Sequence, residues 1–442
     1  MGISDSKLPK FDKILGVDNK TRETTVAGNV AREAVDVDFL TGNKVASRAG
    51  YTAPVLDAAL GHSLWGDDMV PFALFVDAGH LQAFFADESA QSVLTGLAPG
   101  LPVSYQRIND LVYWSNSAQR GIVGMDLVAS DWACANPNGQ PAAAAQAAGS
   151  FTPGQVQITV TFVDSRGRES GSALPIVIDL GVGDGGIRLT AIPQPDDPDV
   201  VAVRIYTSKP NGTVLYRHAQ IPVGATTYAL LGTADGPQLA TFNLQPMPAG
   251  HIVREFSGRL LVANGRFLMW SEPLRYGLFN PAENYVALPA RLALMEPVSS
   301  GADTAGVFVA TGNRTMWLGG RTPSGWQQRI AYPFGAVPGS STTTSAEAWG
   351  LEGVKEPVPC WMATNGQVCV GLPGGQVATF TPDTYAAAVG ERGAAIMRER
   401  DGQRHLLIAQ AGAMRNGRFS VGDQVVARTF RYGADGRPEE VP

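Results

Sequence analysis

Residues Gly258 to Pro281 read GRLLVANGRFLMWSEPLRYGLFNP, and this stretch constrains the fold more than any other. An apolar run, Leu260 to Val262, stops at Asn264-Gly265, resumes from Phe267 to Trp270, and ends in the loop Ser271-Glu272-Pro273. Two short strands around a tight turn are expected, because Asn-Gly supplies the positive φ angles of a two-residue hairpin. The scheme recurs in Gly306-Val-Phe-Val-Ala-Thr-Gly-Asn-Arg-Thr-Met-Trp-Leu-Gly319 and in Trp361-Met-Ala-Thr-Asn-Gly-Gln-Val-Cys-Val-Gly371, with a fainter copy at Leu406-Leu-Ile-Ala-Gln410. Aligned on Ala263, Ala310, Ala363 and Ala409, the copies are 47, 53 and 46 residues apart. A several-stranded unit repeating at that period is the pattern of propeller blades.

The composition agrees. The 51 glycines and 30 prolines in 442 residues suit many short strands and turns rather than helices. Charged residues make up only 17%, below the roughly 25% of a typical soluble domain, which suits a surface partly covered by other subunits. The net charge of −6 and the lack of a long basic run argue against tight nonspecific nucleic-acid binding, which needs clustered Lys and Arg. Three cysteines, Cys134, Cys360 and Cys369, form no disulfide framework and no zinc spacing, and are expected to be reduced thiols. The opening MGISDSKLPKFDKILG lacks the apolar core of a secretory signal. Nowhere do 18 apolar residues run together, so synthesis in the cytosol and no membrane span are expected.

Taken in order, residues 1–22 are polar and read as an N-terminal arm. Ala34-Val-Asp-Val-Asp-Phe39 alternates at period two, Thr41-Gly-Asn-Lys44 turns, and Lys44 to Tyr51 returns, giving a hairpin. Pro71 to Val76, Leu81 to Phe85 and Leu111 to Trp114 are further strands, so 23–132 is the first part of the propeller. Small residues and prolines make 133–150 a linker. From Phe151 the alternation sharpens. Strands are expected at Val156–Phe162, Leu174–Leu180, Ile187–Ala191, Val200–Tyr206 and Thr226–Leu231, so 151–231 forms a small antiparallel sandwich. A second linker, 232–250, leads to the rest of the propeller, 251–442, whose closing strands near Gln424 to Tyr432 would meet Asn29 to Tyr51. The expected fold class is all-β: a β-propeller interrupted by an inserted sandwich.

Ala31-Arg-Glu-Ala-Val-Asp-Val-Asp38 with Ser47-Arg-Ala-Gly-Tyr-Thr52, followed by blades, resembles the opening of tail hub or nozzle proteins of short-tailed bacteriophages; Asp36 stands where that family often has Asn. Asn264-Gly-Arg-Phe-Leu-Met-Trp-Ser-Glu-Pro-Leu274, with Phe279-Asn-Pro281 and Asn284-Tyr-Val286, is similar to a blade of the same family. Gly167-Arg-Glu-Ser170 and Arg204-Ile-Tyr206, with Gly212 and Tyr216, resemble the fibronectin-like modules inserted in phage tail proteins. These stretches are distributed between residues 31 and 286 of the chain.

The resemblance implies a structural virion protein of the tail, assembled as a homohexameric ring. That ring would prolong the DNA channel below the portal and adaptor during ejection and contact tail fibres or the tail tip. Genomic DNA would pass without sequence-specific binding, and a net acidic chain would not retain its phosphates. No enzyme activity, cofactor or metal is expected.

Several motifs invite other readings. Gly181-Val-Gly-Asp-Gly-Gly186 spells a dinucleotide fingerprint but precedes the strand-like Ile187-Arg-Leu-Thr190, with no helix to hold a pyrophosphate, so a glycine-rich turn is expected. His62, His80, His218, His251 and His405 show no metal-ligand spacing. Asp196-Asp197-Pro198-Asp199 is the densest acidic cluster and reads as an exposed turn ahead of a Ca²⁺ site. Glu272 lacks a recognisable second carboxylate for hydrolase or lyase chemistry. Trp270 and Trp317 share one repeat position and read as inter-blade core. The competing reading gives the recurring tryptophans a sugar-stacking role, in a carbohydrate- or receptor-binding propeller.

Overall fold

The computed structural model describes residues 60–299 without a break, then 301, 303–351, 353–380, 385–400 and 403–412. Shorter described pieces are 17–21, 29–31, 34, 37–40, 44–47 and 58 near one end, and 414–415, 418–419, 430–432 and 438–440 near the other. They group into two units, Leu56–Pro289, and Met1–Val55 with Ala290–Pro442. The chain is all-β, with three short 3₁₀ turns and no α-helix among the described residues.

The recurring hairpins are the inner parts of four-stranded antiparallel meanders, the blades of a β-propeller. In the first unit the first blade is His62–Trp65, Phe72–Asp77, His80–Phe85 and Ala90–Leu94. The second is Ser104–Ile108, Leu111–Ser115, Arg120–Gly124 and Ala129–Ser130. The third is Ile252–Phe256, Arg259–Asn264, Phe267–Trp270 and Tyr285–Ala287. The other unit holds a fourth, Leu294–Val298, Gly306–Ala310, Thr315–Gly319 and Gln327–Tyr332, and a fifth, Thr342–Ser345, Pro357–Met362, Val368–Gly371 and Val377–Phe380. A long hairpin, Arg392–Arg400 with Gln403–Ala411, follows it. Ala263, Ala310 and Ala363 all fall within one residue of the end of a blade's second strand, and Ala409 falls in the second strand of that hairpin.

Blades within a unit are packed face to face, which explains the runs of apolar residues. In Leu111–Ser115, Val112 and Trp114 join the core shared with the first blade, while Tyr113 joins the core shared with the third. In Pro357–Met362, Trp361 meets Phe308 and Trp317 of the fourth blade, and Cys360 faces Leu406 of the following hairpin. A strand buried on both faces has no polar side to alternate with, so its sequence reads as a block.

The third-blade hairpin differs by one residue from the expectation. Asn264 pairs with Phe267, so the loop is Gly265-Arg266, and there only Gly265 takes a positive φ, +58°. The turn with two consecutive positive φ angles is the preceding one, Ser257-Gly258, at +50° and +73°.

The insert lies between the second and third blades. Its four-stranded sheet runs Ile176–Leu180, Gly154–Asp164, Val200–Ser208, Leu215–Pro222, and its three-stranded sheet Ala142–Gln146, Gly186–Thr190, Tyr228–Leu230. Val156, Ile158, Val160, Phe162, Ile187, Leu189, Val203 and Ile205 fill the space between the two sheets. Two segments read as linkers carry strands. Ala142–Gln146 in 133–150 is an edge strand on Gly186–Thr190, where alanine lies in the ladder through backbone bonds despite its modest β preference. Gln245–Pro246 in 232–250 pairs with Leu278–Phe279.

The expected N-terminal hairpin is present as Val37–Leu40 against Lys44–Ser47. Part of the segment read as an arm is tied down. The Asn19 side chain donates to Ala386 O at 2.9 Å and accepts from Ala386 N at 3.0 Å, which mimics a strand pair. Residues 1–16, and the closing partners expected at 48–51 and 424–429, lie outside the described residues.

Candidate functional site

The fibronectin-like motif residues converge on one polar knot. Glu169 Oε1 accepts from Thr161 Oγ1 and Tyr206 Oη, both at 2.6 Å, and its Oε2 accepts from Arg204 Nη1 at 2.8 Å. Arg204 Nε reaches Gln220 Oε1 at 3.0 Å. Burial, and then the bond to Glu169, push the Tyr206 phenol well above its usual range. Next door, Ser170 Oγ accepts from Phe162 N at 2.9 Å and donates to Gly171 O at 2.7 Å.

Arg168 of the same turn reaches out of the sandwich. Its Nε pairs with the buried Asp164 at 2.7 Å, while Nη1 and Nη2 donate to Trp132 O and Asp131 O at 2.9 and 3.0 Å. Asp131 holds Arg120 of the second blade through two bonds of 3.0 and 3.2 Å, and the Arg120 guanidinium lies 5.5 Å from the centre of the buried Trp132 ring. Arg120 Nη1 and Trp132 Nε1 both donate to Met247 O, on the chain returning from the insert. Asn136 Nδ2 donates to Leu244 O at 2.8 Å, so the segments entering and leaving the insert are clasped together. Sequence reasoning missed this clasp, whose parts lie up to 127 residues apart and come from the second blade, the insert and both segments read as linkers. The one local signal was Trp132, a large apolar residue at a linker's edge.

Beside the clasp is a cleft of about 620 Å³ between the start of the insert, its Ser172–Leu174 turn, the returning segment Asn243–Gln245 and the third-blade loop Asn280–Ala282. No titratable side chain lines it.

The other motifs have structural duties. Gly149, Gly185 and Gly186 sit where backbones nearly touch; a Cβ on Gly149 would lie 2.0 Å from Gly185 O and one on Gly186 2.2 Å from Ala148 O. The dinucleotide-like spelling is the expected turn, closed by Asp184 N on Gly181 O at 3.2 Å and Gly181 N on Asp184 Oδ2 at 2.8 Å, and its last two glycines pass close to the 147–149 backbone. Asp197 Oδ1 accepts from Asp199 N at 2.9 Å within a turn. Among the described residues no group of three or more His, Cys, Asp or Glu is placed to hold a metal ion.

In the loop after Trp270, Ser271 Oγ accepts from Leu260 N at 2.9 Å and Glu272 accepts from Asn284 Nδ2 at 2.7 Å. Asn280 Oδ1 accepts from Ala282 N at 3.1 Å. These side chains close the loop after Trp270, and the Glu272 carboxylate is engaged there. Trp270, Trp317 and Trp361 are 8%, 4% and 0% exposed, which leaves no indole face free for a sugar. Cys134, Cys360 and Cys369 are buried free thiols, each pushed up to about 12 by burial. Cys360 pairs with Val370 and Cys369 with Trp361, so the two thiols point to opposite faces of the fifth blade.

No family model and no curated protein matches the chain. Solved structures similar to it include the N-terminal domain of Nup159, at 8% identity and a TM-score of 0.24, covering 72% of this chain and 75% of that one. The AfRom2 CNH domain is similar at 9% identity and a TM-score of 0.17, covering 72% and 93%.

Proposed function

We propose that this protein is a structural component of a short-tailed phage tail, a hub or nozzle ring that prolongs the DNA channel. One observation carries the reading: the side chains through which the chain resembles that family are spent on internal hydrogen bonds. Arg168, Glu169, Ser170, Arg204 and Tyr206 secure the insert, while Ser271, Glu272 and Asn284 secure a blade loop. Residues whose work is to hold loops rigid suit a part that transmits force and positions neighbours. The net charge of −6 suits a passage through which DNA must slide, since clustered cations would hold its phosphates. A ring arises when one surface patch meets a different patch on the next copy and the rotation closes.

Light scattering of the purified chain, alone and with a portal-side adaptor, tests the reading. Six copies of the 46.6 kDa chain give a closed ring of about 280 kDa. A strict monomer under both conditions, or a ring with a strongly basic lumen, overturns it.

A further inference from the structure

We propose that the cleft beside the insert clasp binds an uncharged saccharide. Five carboxamides line it: Asn136, Gln140, Asn243, Gln245 and Asn280. A carboxamide both donates and accepts, which matches a sugar hydroxyl, itself donor and acceptor. The cleft has no carboxylate, ammonium, guanidinium or imidazole among its lining residues, so it offers an ionic ligand no counter-charge to offset desolvation.

Two of the amides are already oriented. Asn136 Nδ2 donates to Leu244 O, which fixes this side chain in the cleft wall with its Oδ1 buried. Asn280 Oδ1 is taken by Ala282 N, which aims its Nδ2 as a donor. The side chains of Gln140, Asn243 and Gln245 make no hydrogen bond among the described residues, so they are available to a ligand. Pro137, Ala173, Leu174 and Pro281 supply apolar wall for the C–H faces of a sugar ring. Leu174 is 71% exposed at the rim. At about 620 Å³ the cleft falls within the usual range of roughly 300–1,000 Å³ for small-molecule sites. The inference is independent of the ring assembly and of the buried tryptophans.

Saturation-transfer NMR on the intact protein tests it, with neutral gluco-, manno- and galacto-oligosaccharides, a polyuronate and a neutral peptide library as probes. At least one neutral oligosaccharide should bind. The double change Gln140→Ala/Gln245→Ala, at exposed positions, should weaken binding about tenfold or more at an unchanged melting temperature, two hydrogen bonds being lost. Leu174→Trp should block the same ligand by filling the rim. The proposal is overturned if no neutral saccharide binds or if affinity survives both variants. It is equally overturned if the polyuronate binds more tightly, or if peptides alone bind and are lost in the same variants.

Discussion

Glu169 accepts three hydrogen bonds, one of them from Arg204, in a site where its side chain is only 11% exposed. Truncation would leave a guanidinium, a phenol and a hydroxyl without their acceptor. Glu169→Ala should therefore cost about 2–4 kcal/mol in urea unfolding, and Glu169→Gln, which keeps the shape but not the charge, should cost less. A second test concerns the thiols. With Cys134, Cys360 and Cys369 buried and pushed up to about 12, almost no thiolate exists at pH 8. Iodoacetamide at pH 8 should leave all three unmodified in the folded protein and alkylate all three in urea, as read by intact mass. A third concerns His218, whose Nε2 is buried without a partner and whose ring meets Tyr228 edge-on at 6.0 Å. Burial lowers its pKa from 6.5 against a smaller raising effect of Asp235. The unfolded state therefore takes up the proton first as pH falls. This contribution is present above pH 6.5 and is lost as pH drops through the lowered folded value. Stability should fall between pH 7 and 5, and a flatter profile in His218→Gln checks the assignment.

At the scale of elements, strand type was readable from sequence wherever burial left a pattern. The alternation Val156, Ile158, Val160, Phe162 marks a strand of the sandwich and Leu111 to Trp114 reads as a strand, but that the latter is covered on both faces came only with the packed blades. Ala142–Gln146 carried neither pattern, because its place comes from the backbone ladder of Gly186–Thr190 rather than from its own side chains. The glycines of the 181–186 turn are a sharper element-level test. A Cβ on Gly185 would lie 2.5 Å from Gly149 O and 2.7 Å from Ala147 O, whereas one on Gly183 meets nothing within 4 Å. Gly183→Ala should cost about 1 kcal/mol, from its positive φ of +99° alone. Gly185→Ala should cost more, about 2–3 kcal/mol, because backbone must move. Thermal unfolding of the two variants side by side gives the ranking.

At the scale of the whole molecule, the insert starts and ends at one point, where Asn136 holds Leu244 O, and apart from Cys134 its core draws on residues between those two. Residues 134–244 should therefore fold alone, with a cooperative melt and a dispersed amide spectrum; a non-cooperative transition would mean that the Arg168 clasp is required for folding. Of the candidate cleft nothing was legible beforehand. Its five amides are spread from Asn136 to Asn280, each ordinary in its own loop, and they face one cleft because the insert returns to its point of departure.

What the sequence alone determined is the all-β class, the blade repeat with its second-strand alanines, the existence of the sandwich and the structural use of the tryptophans. All of these follow from periodicity, which is local: side-chain spacing along a strand records which faces are covered. Only the tertiary structure decided that Gly185 and Gly186 pass against the 147–149 backbone, that Glu169 and Arg204 are partners, and that Arg120, Trp132 and Met247 close a clasp. Those pairings depend on which distant backbones meet, and a single hydrogen bond between residues 127 apart leaves no trace in the spacing of either one's neighbours.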